Sequence, residues 1–98
     1  MKEANHIIDI VANYYNVDKN DIVNSRNRED KIVIPRHVSQ YLIREMTELS
    51  LKDIGLIYDR KYPTIIHSIQ KVQVQMDSKY DNRMRNDVIK LRKLIKIN

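Results

Sequence analysis

Residues 50–76 read SLKDIGLIYDRKYPTIIHSIQKVQVQM. Ser50 and Asp53 stand three apart, the spacing of a reciprocal helix cap, with Asp in the position more often held by Glu. Leu51, Ile54 and Ile57 or Tyr58 recur at helical spacing behind that cap. Asp59, Arg60 and Lys61 then form a polar turn. Pro63 suits the first turn of a second helix, where its missing N–H would have no intrahelical acceptor. Ile65, Ile66, Ile69, Val72 and Met76 supply the apolar set of that helix. Gly55, the one glycine of the chain, falls inside the first helix, where it costs roughly 1 kcal/mol against Ala. Close approach of another helix is the compensation expected. A short helix, a tight polar turn and a longer helix make a helix-turn-helix unit.

Outward from this unit the pattern stays helical. Towards the N-terminus, Pro35 reads as the first turn of a long helix running to about Glu48, with Val38, Leu42 and Met46 as its buried stripe. Residues 24–34, NSRNREDKIVI, show no helical period and read as an exposed basic loop carrying Arg26, Arg28 and Lys31. Before them, Asp18 is an N-cap candidate for a short helix that buries Ile22 and Val23. The chain opens with a helix from Ala4 to Tyr15, closed by Asn16, whose apolar positions are Ile7, Ile8, Val11 and Tyr15. Towards the C-terminus, a last helix is expected from about Lys79 to Lys96. Met84, Val88, Leu91 and Ile95 make its inward stripe, with Arg83, Lys90, Lys93 and Lys96 largely off it. The expectation is an all-α fold of five to six helices forming one domain over residues 1–98, with the helix-turn-helix at about 50–76.

Composition excludes several classes of function. The chain has 98 residues, no Cys, one Gly and two Pro. It cannot build a disulfide scaffold, a cysteine zinc site or a thiol nucleophile. One glycine cannot make a phosphate-cradling loop. No apolar run approaches the ~18 residues of a membrane span, so no membrane partner is expected. His6, His37 and His67 are scattered without metal-ligand spacing, Glu29–Asp30 balances a basic loop, and Ser50 is explained by its cap. No catalytic constellation, metal or cofactor is therefore expected.

The net charge of +5 is unevenly placed. Residues 1–25 carry two bases and four acids, residues 26–71 nine and six, and residues 72–98 seven and three. A basic second half suits a polyanionic partner, nucleic acid before anionic lipid. In a helix-turn-helix the second helix enters the major groove and offers its N-terminal residues to base edges. Here those residues are Arg60, Lys61, Tyr62, Pro63 and Thr64. Arg60 and Lys61 suit a guanine edge or a phosphate, and Thr64 suits a base edge or a thymine methyl.

Pro35-Arg36-His37-Val38, followed by Leu42-Ile43-Arg44-Glu45-Met46-Thr47-Glu48-Leu49-Ser50-Leu51-Lys52-Asp53-Ile54-Gly55, resembles the C-terminal DNA-binding domain of the bacterial replication initiator DnaA. The resemblance covers essentially the whole chain and includes the opening IVANYYNV run. It implies a Trp-repressor-like helix-turn-helix fold, duplex DNA as partner, binding as a monomer, and a role in replication initiation or its regulation. It also implies a cytoplasmic, nucleoid-associated setting in a bacterial or phage-infected cell, with other replication proteins as further partners. The basic-loop arginine that reaches the minor groove in this family falls to Arg26 or Arg28, with Lys31 beside them. Arg36 is either a phosphate contact or a helix-packing residue. Ser50 and Lys52 are phosphate candidates at the start of the first helix of the unit. His67 is expected to be buried and hydrogen-bonded.

The chain departs from the family where bases are read. The family's Gly-Gly-Arg-Asp-His-Thr-Thr run becomes Asp59-Arg60-Lys61-Tyr62-Pro63-Thr64, one residue shorter. Lys61 replaces Asp, Tyr62 replaces His and Pro63 replaces the first Thr. The expectation is altered sequence preference. The alternative is a protein-interaction module on the same scaffold that has lost specific DNA reading. A stand-alone relative would lack an ATPase module, whereas a piece of a longer initiator would recognise origins.

Overall fold

The structure, a computed structural model, describes residues 2–97. Six helices follow one another: α1 (Lys2–Tyr15), α2 (Lys19–Val23), α3 (Asp30–Met46), α4 (Leu51–Tyr58), α5 (Tyr62–Met76) and α6 (Arg83–Ile97). No strand occurs among the described residues. The all-α expectation therefore holds, with α4 and α5 as the helix-turn-helix.

Each helix turns its apolar stripe inward. Ile7, Ile8 and Val11 of α1 meet Val38, Leu42 and Ile43 of α3, Ile54 and Tyr58 of α4, and Ile65 and Val72 of α5 in one buried cluster. Met84, Val88, Leu91 and Ile95 of α6 close it, as their spacing predicts. The ends are set locally. Asp18 caps α2 by accepting from the Asn20 amide at 2.8 Å. Asn16 takes a left-handed φ of 56° beyond α1, a conformation its short polar side chain tolerates. Arg85 donates to the Met76 carbonyl at 2.6 Å and so satisfies the C-terminal end of α5.

Two boundaries differ most from the sequence reading. The long helix α3 begins at Asp30, so the irregular loop spans only residues 24–29 and Pro35 lies inside the helix. Ile32 in the added turn is buried, and burying it rewards the extra helical residues. Pro35 removes just one ladder bond, the return to the Lys31 carbonyl. The last helix, α6, starts at Arg83, after an Asp81 carboxylate that accepts from the Arg83 amide at 3.0 Å.

Gly55 has a different reason from the one expected. Asp59 adopts a left-handed φ of 53°, and the Arg60 amide folds back onto the Gly55 carbonyl at 2.8 Å. This is the Schellman closure, in which the residue after the helix is most often glycine and here is Asp59. A Cβ on Gly55 would collide with the Arg60 carbonyl oxygen of that same turn. The close approach comes from the turn, not from another helix.

Candidate nucleic-acid interface

The interface begins with the cap of α4. Ser50 Oγ accepts from the Asp53 amide at 3.0 Å, and the Asp53 carboxylate accepts from the Ser50 amide at 3.1 Å. Both groups of Ser50 are thus engaged in the cap. The next amides, those of Leu51 and Lys52, are first-turn donors without intrahelical acceptors, and Lys52 is exposed.

The turn into α5 is positioned from the core. The Tyr58 side chain is fully buried. Its hydroxyl hydrogen-bonds Ser39 Oγ at 2.6 Å, and Ser39 Oγ donates to the Arg36 carbonyl at 2.7 Å. With the serine proton committed, the tyrosine donates, and burial holds the phenol well above its usual range. Asp59 to Thr64 therefore project from a fixed base. Lys61, Tyr62, Pro63 and Thr64 are all exposed there. Leu56, Asp59, Arg60, Lys61 and Thr64 line a shallow groove over Gly55.

Loop 24–29 is built from two asparagine turns. Asn24 Oδ1 accepts from the Arg26 amide at 3.2 Å, and Asn27 Oδ1 accepts from the Glu29 amide at 3.1 Å. Side chains that mimic a backbone turn favour this over helix. Arg26 and Arg28 point out to solvent on it. The loop is clamped to the helix-turn-helix by its own Ser25. Ser25 Oγ donates to the Tyr58 carbonyl, and its carbonyl accepts from Arg60 Nη2 at 3.0 Å. The structure thus brings the basic loop beside the turn that opens α5.

Arg36 is corrected by the structure. It is 6% exposed and has no free side toward a phosphate. Its Nε donates to the Ile22 carbonyl at 2.6 Å, Nη1 to Asn27 at 2.8 Å, and Nη2 to Asp21 at 2.9 Å and Asn24 at 2.7 Å. One guanidinium gathers the orphan carbonyls at the end of α2 and those of the loop. Its planar fork suits that task. Arg36 is the packing residue that shapes the basic loop.

His67 is also corrected. It is exposed on the outer face of α5, where it borders a shallow groove with Gln70, Lys71 and Val74. The helix turns its Ile65, Ser68 and Val72 side inward, and His67 lies on the other side. Sequence reading also missed Lys71, which is exposed one turn beyond His67. Its place on the polar face of an amphipathic helix was the available signal. Lys31 lies in the first turn of α3 and pairs with Glu29 at 3.6 Å in a solvent-exposed contact, worth little to stability. Among the described residues, no side chain pairs with Arg26, Arg28, Lys52, Lys61 or Lys71.

His37, half-buried on α3, is pushed down to about 4 by burial, with the Lys71 and Arg36 charges adding to it. It is neutral at physiological pH. Among the described residues no three His, Asp or Glu side chains cluster to hold a metal ion, and no helix is long and apolar enough to cross a membrane.

Known proteins match this arrangement. The family model described as bacterial dnaA protein helix-turn-helix matches residues 4–72. The chromosomal replication initiator protein DnaA of Chloroflexus aurantiacus is 36% identical over 95 residues, covering 96% of this chain and 19% of the relative. That of Limosilactobacillus fermentum is 39% identical over 83 residues, covering 84% of this chain and 18% of the relative. That of Deinococcus deserti is 36% identical over 86 residues, covering 88% and 18%. The chain thus spans about a fifth of the length of these curated relatives. With a family model over most of its length and relatives above 30% identity, the chain belongs to the bacterial DnaA helix-turn-helix family.

Proposed function

We propose that this chain binds duplex DNA sequence-selectively, in replication initiation or its regulation, with a preferred sequence different from the usual DnaA box. The observation that carries this reading is the clamp of Ser25 onto Tyr58 and Arg60. It holds the unpaired cations of the basic loop beside the exposed start of α5. A helix in the major groove and an arginine in the neighbouring minor groove require that adjacency.

Roles follow from exposure and chemistry. Lys61 and Thr64 face base edges from the start of α5. Lys61 offers donors and no acceptor, so it favours guanine O6 and N7 or thymine O4 over a cytosine amine. Arg60 braces the loop through Ser25 and lends charge to the same face. Arg26 or Arg28 enters the minor groove, while Lys31, Lys52 and Lys71 meet phosphates. The Ser50 cap aims the first-turn amides of α4 at the backbone. Replacement of an acidic reader by Lys61 is the reason to expect an altered box. A monomer on each site, met in the cytoplasm of a bacterial or phage-infected cell, suits the single unit, and other replication proteins are further partners.

The test is selection from a random duplex library, followed by fluorescence anisotropy across a salt series. The expected result is a defined motif that differs from the DnaA box and is weakened by Lys61→Ala and by Thr64→Ala. Arg26, Arg28, Lys31, Lys52 and Lys71 bring five cations to the DNA, in its minor groove or at its phosphates, and give a log–log salt slope of about −4.5. Removing one of them by Arg28→Ala or Lys71→Ala lowers the slope by about one. Selective binding to the standard box contradicts the altered preference. Weak binding with no salt dependence favours the protein-interaction alternative.

A further inference from the structure

Helix α6 carries six basic residues and one acid. Its three arginines are tied into the fold. Arg83 pairs with Asp81 at 2.8 Å, Arg85 donates to the Met76 carbonyl at 2.6 Å, and Arg92 grips both carboxylate oxygens of Glu45 at 2.7 Å. Its three lysines are not. Lys90, Lys93 and Lys96 are exposed, and among the described residues none of them forms an ion pair. Two isoleucines share their side of the helix, Ile89 at 41% exposed and Ile97 at 80%. Ile89, Lys93 and Ile97 stand four residues apart, in one row opposite the buried Met84, Val88, Leu91 and Ile95. At about 100° per residue, Lys90 lies on one side of that row and Lys96 on the other. This face is separate from the proposed DNA interface. Helix α6 packs on α1, α3 and α5, whereas the basic loop is clamped to the turn between α4 and α5.

The lysines call for an anionic cover and the isoleucines for an apolar one. A second α6 brings the same lysines and is repelled. Duplex DNA meets the lysines with phosphates but gives the isoleucines little apolar surface. A lipid surface takes up a helix through an apolar face with cations on its polar side, and here Lys93 sits between the two isoleucines at the centre of the face. An acidic amphipathic helix meets both demands. Its apolar side chains cover Ile89 and Ile97, and its carboxylates pair with Lys93 between them and with Lys90 and Lys96 at the edges. We infer that the outer face of α6 docks an acidic amphipathic helix of a partner protein. Docking there is independent of the proposed duplex binding, because the two faces share no residue.

The probe is a synthetic peptide of about 18 residues, long enough to hold a helix, with leucines at heptad spacing and glutamates beside them. It is added to the isotope-labelled full chain while backbone amide shifts are followed. A control peptide has the same composition in scrambled order, which keeps the charge and destroys the stripe. The expected changes fall on Ile89, Lys90, Lys93, Lys96 and Ile97, with a Kd on the order of tens of micromolar for so small an interface. The scrambled peptide binds at least about tenfold more weakly, and Ile89→Ser weakens the helical peptide about fivefold. Lys93→Glu weakens it about tenfold, and a peptide whose central glutamate is exchanged for lysine recovers that loss. Both substituted side chains are exposed, so the variants keep the fold. Equal binding of the two peptides overturns the docked helix and leaves charge alone. Changes centred on loop 24–29 and the start of α5, or no change in α6 at any peptide concentration, overturn it as well. The same α6 residues responding to phosphatidylglycerol vesicles or to a duplex of scrambled sequence at lower concentration than to the peptide overturn the protein partner in favour of lipid or DNA.

Discussion

Replacing Arg36 by methionine separates a structural arginine from a phosphate-binding one. Methionine keeps the unbranched stem and removes the guanidinium. Four hydrogen bonds are lost, to the carbonyls of Asp21, Ile22, Asn24 and Asn27. A hydrogen bond to a charged group is worth about 1.5–3 kcal/mol net. The four do not add, because they share one group and the loop carbonyls can turn to water once released. The Ile22 carbonyl is bonded by a buried guanidinium nitrogen, and leaving such an acceptor unmade costs about 1–3 kcal/mol. The expected total is about 3–4 kcal/mol, a large share of the 5–15 kcal/mol typical of a small domain. At about 4–8 °C per kcal/mol for a chain of this size, the melting temperature drops by roughly 12 °C or more. Arg36→Lys retains the charge but cannot span four carbonyls with one ammonium, so it recovers only part of the loss. The assay is urea denaturation followed by far-UV circular dichroism, with DNA affinity measured where each variant is folded. An unfolding free energy within about 0.5 kcal/mol of the parent, with affinity lost and the salt slope reduced by one, refutes the reasoning.

Two further perturbations probe the parts that aim α5. Gly55→Ala gains roughly 1 kcal/mol of helix propensity. It loses more than that to the Arg60 carbonyl, so a net destabilisation of about 1–2 kcal/mol is expected by thermal melting; an alanine variant as stable as the parent contradicts the turn geometry. For His37 the folded value lies near 4, below its ordinary 6.5. The neutral ring's contribution is therefore full above about pH 6.5 and is lost as pH falls towards 4. His37→Gln should lose less stability than the parent between those pH values, and parallel loss in both proteins rules the histidine out as the cause.

The sequence was most informative where one local rule acts alone. The α6 stripe and the Ser50–Asp53 cap follow from helical period and cap chemistry, and both lie where that chemistry puts them. Pro35 misled because proline favours a first turn, while burial of Ile32 recruited another helical turn before it. Arg36 could not be recognised as buried from its neighbours in sequence. Its four acceptors come from α2 and the loop, and nothing in the residues next to it encodes them. Gly55 signalled a close approach, but its partner is a carbonyl brought there by the left-handed Asp59. The positions of Lys61, Tyr62, Pro63 and Thr64 at the start of α5 were legible from turn and proline chemistry. The neighbouring of Arg26 and Arg28 was not, because it depends on the long-range contacts of Ser25.

Backbone amide chemical shifts of the labelled chain, followed while the selected duplex is added, test the central claim most directly. The account predicts the largest changes at Lys61–Lys71, at Leu51 and Lys52, and in loop 24–29, with α6 little affected. Changes concentrated on Lys90, Lys93 and Lys96 of α6, with α5 and the loop unmoved, would contradict it.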